Sequence, residues 1–311
     1  MGKSVFSRML MGLALMATTT IVIVSAGDED GMNPLRTHSI YMPYIDQDLQ
    51  NRWFDFGGDA LVNTNKHIRL TSDIPSQTGY LWSRLPLTSS SYQVEFEFKV
   101  EGKGDGLFGD GFAVWLTKER ATMGPVFGNK DEFEGLGIFF DTYANSRQSH
   151  SFPYVMAMMG DGRTKYDSAN DGESNKLAGC ESDFRGNLVP TKGRITYHRN
   201  SKTLNFKLQT RGWDEWDECF TLSDIELPVM SYLGFTSVTG EVHDNHDIIS
   251  VTTSTLSGKG ESPFKKLNNT PPPQKKTGVM WYLKFLAACA VFVALVMAFK
   301  MSKGSNDMKR F

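Results

Sequence analysis

Cysteine is scarce in this sequence, with three in 311 residues, so a disulfide-dense scaffold cannot be built from it. A dominant charge of one sign is missing too. The 33 basic and 35 acidic residues nearly cancel, which leaves no polybasic face for nucleic acid. Heptads and internal repeats are both lacking, which excludes a coiled-coil rod and a solenoid. Long apolar runs occur only at the two ends of the chain.

At the first end, Lys3 and Arg8 lead into an apolar stretch over residues 9–24 that is interrupted by Thr18, Thr19 and Thr20. Val24-Ser25-Ala26 then places small residues before the polar Gly27-Asp28-Glu29-Asp30. That order predicts a cleavable signal peptide over 1–26, with an uncleaved anchor as the alternative. At the other end, residues 279–299 match the ~20 apolar residues of a membrane-spanning helix. Lys284 sits near one end of that run, where its amine can snorkel beside Trp281 and Tyr282. Lys300, Lys303, Lys309 and Arg310 follow as cytosolic charge. Lys275 and Lys276 on the opposite side weaken the asymmetry, so the orientation rests mainly on the signal peptide. A GPI signal fits poorly, because a basic tail follows the apolar run. The expectation is a single-pass type I membrane protein with a luminal domain over 27–256, a stalk over 257–278 and a cytosolic tail over 300–311.

Cys289 falls inside the predicted span, which leaves Cys180 and Cys219 in the lumen. In an oxidising compartment one intrachain disulfide is the simplest pairing, and two free buried thiols are the alternative. The stalk is rich in Lys, Asn and Pro, including Pro271-Pro272-Pro273, and reads as extended chain. Asn268-Asn269-Thr270 is a glycosylation sequon on it, with Asn268 as acceptor.

The luminal segment reads as strands with little helix. Val94, Phe96, Phe98 and Val100 alternate with Glu95, Glu97 and Lys99, the period of a half-buried strand. Leu204, Phe206 and Leu208 repeat that pattern. Residues 112–116, 136–140 and 154–159 are nearly continuous apolar runs, as in strands buried on both faces. Residues 232–238 and 248–253 complete the set, and Gly, Asp and Asn clusters punctuate it as turns. Many short strands with turn signals predict an all-β antiparallel sandwich or jelly roll.

Three acidic patches fall at the predicted strand ends: Gly109-Asp110-Gly111, Asp141-Thr142-Tyr143-Ala144-Asn145, and Tyr166 to Gly172 with Asp171. Calcium takes 6–8 hard oxygen ligands from carboxylates, amides and backbone carbonyls, and Asp141, the Tyr143 carbonyl, Asn145 and Asp171 supply that mixture. Composition alone also allows ordinary solvated turns.

Trp82, Gly109-Asp110-Gly111-Phe112-Ala113-Val114-Trp115, Phe140-Asp141-Thr142-Tyr143-Ala144-Asn145, Phe152-Pro153-Tyr154, Leu177-Ala178-Gly179-Cys180, Asp183-Phe184-Arg185 and Asp244-Asn245-His246-Asp247 resemble, in order, the L-type (legume-like) lectin family. The resemblance spans about residues 35–256. It is nearest the vesicular integral-membrane branch, because the long coiled-coil stalk of the larger intermediate-compartment receptor is lacking. It implies a legume-lectin-like β-sandwich that binds high-mannose glycoproteins as a cargo receptor. The implied setting is the endoplasmic reticulum, the ER–Golgi intermediate compartment and the Golgi. It further implies calcium on Asp141, the Tyr143 carbonyl, Asn145 and Asp171, and sugar contacts from Asp110, Asn145 and Gly240. Cys180 and Cys219 would form the family disulfide. Three rim positions depart from the family pattern: Ser168 stands for a histidine, Tyr80 for a serine, and Glu241 for an aspartate. Ala144 and Ser146 replace acidic positions that support a second ion, so one calcium is expected. A sugar-blind scaffold or trafficking adaptor on the same fold is the alternative.

Other readings weigh less. His243 and His246 beside Asp244 and Asp247 lack metal-ligand spacing. Trp213 and Trp216 are expected to pack around Cys219, with sugar stacking as the alternative. A sandwich glycoside hydrolase needs paired carboxyl groups astride the scissile bond, and the Glu-x-Asp-x-x-Glu strand motif is missing, so no catalysis is expected. The ending Lys309-Arg310-Phe311 resembles tails that bind vesicle coats, although simple anchoring explains the charges equally well.

Overall fold

The computed structural model describes residues 32–104, 106–147 and 150–256. The expected signal peptide, the stalk with Asn268, the spanning helix and the tail lie outside the described residues. Among those described, no helix is long and apolar enough to cross a membrane.

Two antiparallel sheets form the domain, with strands numbered in chain order. One has the order β12 (Ala178–Glu181), β11 (Tyr154–Asp161), β10 (Glu134–Asp141), β7 (Gly111–Thr117), β16 (Tyr232–Val238), β5 (Thr78–Ser83) and β2 (Phe54–Gly58). The other has the order β15 (Asp217–Leu222), β14 (Thr203–Gln209), β13 (Thr191–His198), β6 (Ser91–Glu101), β17 (Asn245–Leu256), β4 (His67–Thr71) and β3 (Leu61–Asn63), and β1 (Met32–Pro34) pairs with β17. A short ribbon joins β8 (Met123–Gly124) to β9 (Gly128–Asn129).

The hydrophobic patterns sort the strands between these sheets. In β6 every second residue is buried and the rest are partly exposed. Phe96 and Phe98 therefore face inward while Glu95 and Lys99 face solvent. In β7 all seven residues are buried, because this sheet is covered on both sides. Phe112, Val114 and Leu116 face the other sheet and join Phe98, Phe140, Ile195 and Phe206 in the main core. Ala113 and Trp115 point the opposite way, into a second cluster with Trp82, Phe127, Phe133, Phe139, Met156 and Tyr166. Within the main core Phe112 stacks on Phe140 at 4.3 Å between ring centroids. Each fully buried side chain of this size contributes about 1.5–3 kcal/mol by leaving water. The β14 alternation is less clean than its sequence implies, because Asn205 is also buried. It is satisfied there by donating to Glu218 at 3.0 Å and Thr221 at 2.7 Å.

Cys180 on β12 and Cys219 on β15 form a disulfide with a Cα–Cα distance of 5.3 Å, which ties together the edges of the two sheets. It closes a loop over a sequence separation of 39, for which chain entropy gives roughly 4 kcal/mol. Replacing both cysteines with serine is expected to lower unfolding stability by about 2–4 kcal/mol in urea titrations. A change below ~1 kcal/mol would contradict that role. Trp213 corrects the sequence expectation: it is 72% exposed and does not pack around the disulfide. Trp216 lies under the Arg194 guanidinium, 3.7 Å from carbon to ring centroid.

Candidate functional site

Strand register assembles the three acidic patches. Gly111, at the start of β7, lies opposite Asp141 at the end of β10 and Val238 at the end of β16. The row continues to Thr78 on one side and to Tyr154 and Glu181 on the other. The loops leaving this row therefore emerge at one end of the sheet. They carry Asp110, residues 142–147 and Gly240-Glu241. Gly111 has a φ of +135°, and a Cβ on it would meet the Phe140 carbonyl oxygen at 2.1 Å. Only glycine allows Asp110 to approach β10 this closely.

The Gly109–Asp110 peptide is cis, and the Asp110 carbonyl accepts the Thr142 N–H at 3.1 Å. Gly109 packs beneath Val242 and Tyr143, which meets the 240–242 loop. Burial pushes the Asp110 carboxyl up to about 6, and a hydrogen bond from the Gly240 backbone works against that rise.

Asp141 is 4% exposed and accepts the Tyr143 N–H at 2.9 Å. Asp171 is 6% exposed and sits in the left-handed region at φ 54°, closing the short turn Ser168–Asn170. Its Oδ1 accepts the Asn145 N–H at 2.9 Å and the Asn145 side-chain amide at 2.7 Å, and its Oδ2 accepts the Ser146 N–H at 3.3 Å. Burial raises the Asp141 carboxyl well above the usual range, and the charges of Asp171 and Asp110 raise it further. Tyr166, whose ring lies 4.9 Å from Phe139, is raised by burial and by the charges of Asp141, Asp171 and Asp167. The side-chain oxygen of Thr142 is buried with no hydrogen-bond partner among the described residues. Two buried carboxylates, an amide and backbone carbonyls are hard oxygen donors. Their chemistry fits calcium or magnesium rather than an ion that prefers imidazole or thiolate.

The predicted sugar-facing residues separate into two groups. Asp110, Asn145, Gly240 and Glu241 converge on the loops at the sheet end. Ser168 is exposed on the turn that leads to Asp171. Tyr80 sits two residues into β5, opposite Thr236 and Gly57. Its ring lies over Gly57, where a Cβ would meet the tyrosine hydroxyl at 2.4 Å.

The histidine–aspartate run does not converge. His243 Nδ1 contacts Asp73 at 2.6 Å, while Asp247 is held by Arg69 at 2.7 and 2.8 Å. Asp244 is fully buried and accepts Arg185 Nε at 2.7 Å and Nη2 at 2.9 Å. This last pair was not legible in the sequence, because its members lie 59 positions apart.

His246 Nδ1 lies 2.8 Å from the Thr71 hydroxyl, and Nε2 is buried with no hydrogen-bond partner among the described residues. Burial, helped by the charge of Arg185, lowers its pKa to about 3. Below the unfolded value of 6.5 the unfolded chain takes up a proton that the native imidazole refuses, so this site loses stability as pH falls. The loss amounts to ~2 kcal/mol between pH 6.5 and 5. Asp110 acts with the opposite sign: its raised folded pKa makes the domain gain stability as pH falls from about 6 towards 3.8. Comparing His246→Gln with the parent chain in melting curves across this range isolates the imidazole. The variant is expected to lose less stability, or gain more, than the parent between pH 6.5 and 5, the difference being the imidazole's ~2 kcal/mol.

The two-sheet sandwich, with buried acids and an amide gathered on loops at one sheet end, defines the class as a legume-lectin-like domain. A model of the legume-like lectin family matches residues 32–262, and the chain belongs to that family. It is 36% identical to an L-type lectin-like domain-containing protein of Schizosaccharomyces pombe over 278 residues, covering 88% of this chain and 89% of that protein. It is 37% identical to the canine vesicular integral-membrane protein VIP36 over 234 residues, or 74% of this chain and 65% of that one. Among solved structures, the VIP36 exoplasmic/lumenal domain in its Ca2+/Man2-bound form superposes with a TM-score of 0.69 at 35% identity, covering 74% of this chain and 92% of that chain.

Proposed function

We propose that this chain is a calcium-dependent lectin of the secretory lumen that binds high-mannose N-glycans and carries glycoproteins between the endoplasmic reticulum and the Golgi. The observation that carries this reading is the Asp141 environment: a buried carboxylate whose charged neighbours, Asp171 and Asp110, are both anions. Such a site is costly unless a proton or a cation neutralises it. One calcium ion would be held by Asp141, the Tyr143 carbonyl, Asn145 and Asp171. A similar lumenal domain has been solved with calcium and with Man3GlcNAc, which supports the same ligands here.

Asp110 and Gly240 would read mannose together. The Gly240 backbone already bonds to the Asp110 carboxylate. A sugar hydroxyl placed between them can accept from the N–H and donate to the carboxylate, replacing one hydrogen bond with two. Asn145 would serve both the ion and the sugar. Glu241, Ser168 and Tyr80 would shape an altered rim: a longer carboxylate, a short exposed hydroxyl and an aromatic ring resting on Gly57. In the same reading the chain is a non-catalytic, single-pass type I membrane protein, and its tail ending at Phe311 engages vesicle coat proteins.

Glycan-array binding by the detergent-solubilised chain, with and without chelator, tests the reading. Binding to high-mannose structures that disappears on chelation is expected. A folded, calcium-loaded chain that binds no glycan would instead favour the sugar-blind scaffold.

A further inference from the structure

We propose that Arg185, which lies outside the proposed ligand set, is a positioning residue for mannose. It would act by locking the loop that carries Asp110 to the loop that carries Gly240 and Glu241. The inference rests on the lectin reading above and adds a specific element to it.

Arg185 lies between β12 and β13 and forms an isolated parallel bridge with Val100, near the end of β6. Among the described residues, its guanidinium reaches both loops. Nε and Nη2 donate to the two oxygens of Asp244 at 2.7 and 2.9 Å, three residues after Glu241. Nη2 also donates to the Gly104 carbonyl at 3.1 Å, and the guanidinium carbon lies over the ring of Phe108, two residues before Asp110, at 3.9 Å from the ring centroid. The loops also meet directly. A Cβ on Gly102 would fall 2.1 Å from Asp244 Oδ1 and 3.0 Å from Asp73 Oδ1. Asp73 adds a second tie, accepting the Lys103 N–H at 3.0 Å and contacting His243 at 2.6 Å.

These contacts need a planar fork. Two parallel N–H bonds to one carboxylate, a third to a carbonyl and a flat face on an aromatic ring suit guanidinium and not an ammonium. The site needs such a lock because Asp110 and Gly240 come from different loops and must meet one hydroxyl together. A shift of about 1 Å between them would lose one of its two hydrogen bonds. Asp244, Gly104 and Phe108, which the fork holds, lie on the Asp110 and Gly240 loops, whereas the proposed calcium ligands are on residues 141–145 and 171. Disturbing the fork should therefore separate sugar affinity from calcium affinity.

The test uses the full chain in detergent with Arg185→Lys, which keeps a cation beside Asp244. Phe108→Ala serves as a second variant that leaves the Arg185–Asp244 pair intact. A mannobioside and calcium are titrated separately, and amide hydrogen exchange is followed around Asp110 and Gly240. Both variants are expected to keep the parent calcium midpoint and to weaken mannobioside binding, by about tenfold for Arg185→Lys. Exchange should speed up at Asp110, at Gly240 and at Thr142, whose N–H is donated to the Asp110 carbonyl, and stay unchanged at residues 143–145. Parent-like sugar affinity and parent-like exchange in folded Arg185→Lys would overturn the proposal, as would an equal loss of calcium and sugar affinity. If the parent chain binds no mannobioside, the lectin reading falls, and the exchange measurement still decides whether Arg185 holds the two loops.

Discussion

Asp171→Asn is expected to reverse its effect on stability with calcium. Without the ion, the variant should be more stable than the parent, because removing one charge relieves the repulsion that helps push the Asp141 carboxyl upward. With saturating calcium the order should invert. An ion at 100 times its Kd stabilises the parent by about 2.7 kcal/mol, and the variant loses a charged ligand and with it most of that gain. Asparagine keeps the size of the side chain and one oxygen to accept from Asn145, losing only the longer bond from the Ser146 N–H at 3.3 Å, so the change is mainly electrostatic rather than a cavity. Melting temperatures measured in calcium and in chelator give the two comparisons directly. Equal calcium responses in parent and variant would remove Asp171 from the ion site.

Arg185→Ala should cause the largest loss of stability among single surface-reaching changes. Asp244 is fully buried, and burial already raises its pKa against the pull of Arg185. Deleting the guanidinium leaves a buried carboxylate without its principal partner, which costs about 3–5 kcal/mol. The sign of the pH dependence follows. The folded pKa of Asp244 rises further in the variant, so the native state binds a proton that the unfolded chain does not hold at neutral pH. The variant should therefore recover stability as pH falls from 7 towards the unfolded carboxylate value. Urea unfolding at pH 7 and pH 5 measures both effects. A loss under ~1 kcal/mol at pH 7 would contradict the described burial of the pair.

These two residues also mark how far the sequence could be read. The architecture was legible because it is periodic: the alternation at Val94–Val100 and the unbroken run at Phe112–Leu116 report one covered face and two covered faces respectively. The disulfide was legible from the compartment and the cysteine count. The acids Asp110, Asp141 and Asp171 could be singled out as turn residues at strand ends, and the family resemblance gave them roles. Their convergence depends on strand register, which brings Gly111, Asp141 and Val238 into one row. The Arg185–Asp244 pair had no local signature, because a single ion pair between distant segments leaves no period in a chain. Trp213 misled for a related reason. Apolar area argues for burial in general, but an exposed loop position is decided by the backbone around it.

If calcium and mannose bind as one coupled system on the Asp110–Asp141–Asn145–Asp171 loops, a linkage titration will show it. Calcium affinity would be measured at several mannobioside concentrations, and mannobioside affinity at several calcium concentrations, by calorimetry on the same chain. Each ligand should tighten the other by the same factor, and sugar binding should vanish in chelator. Sugar binding of equal strength with and without calcium, or calcium binding that ignores the sugar, would contradict the coupling.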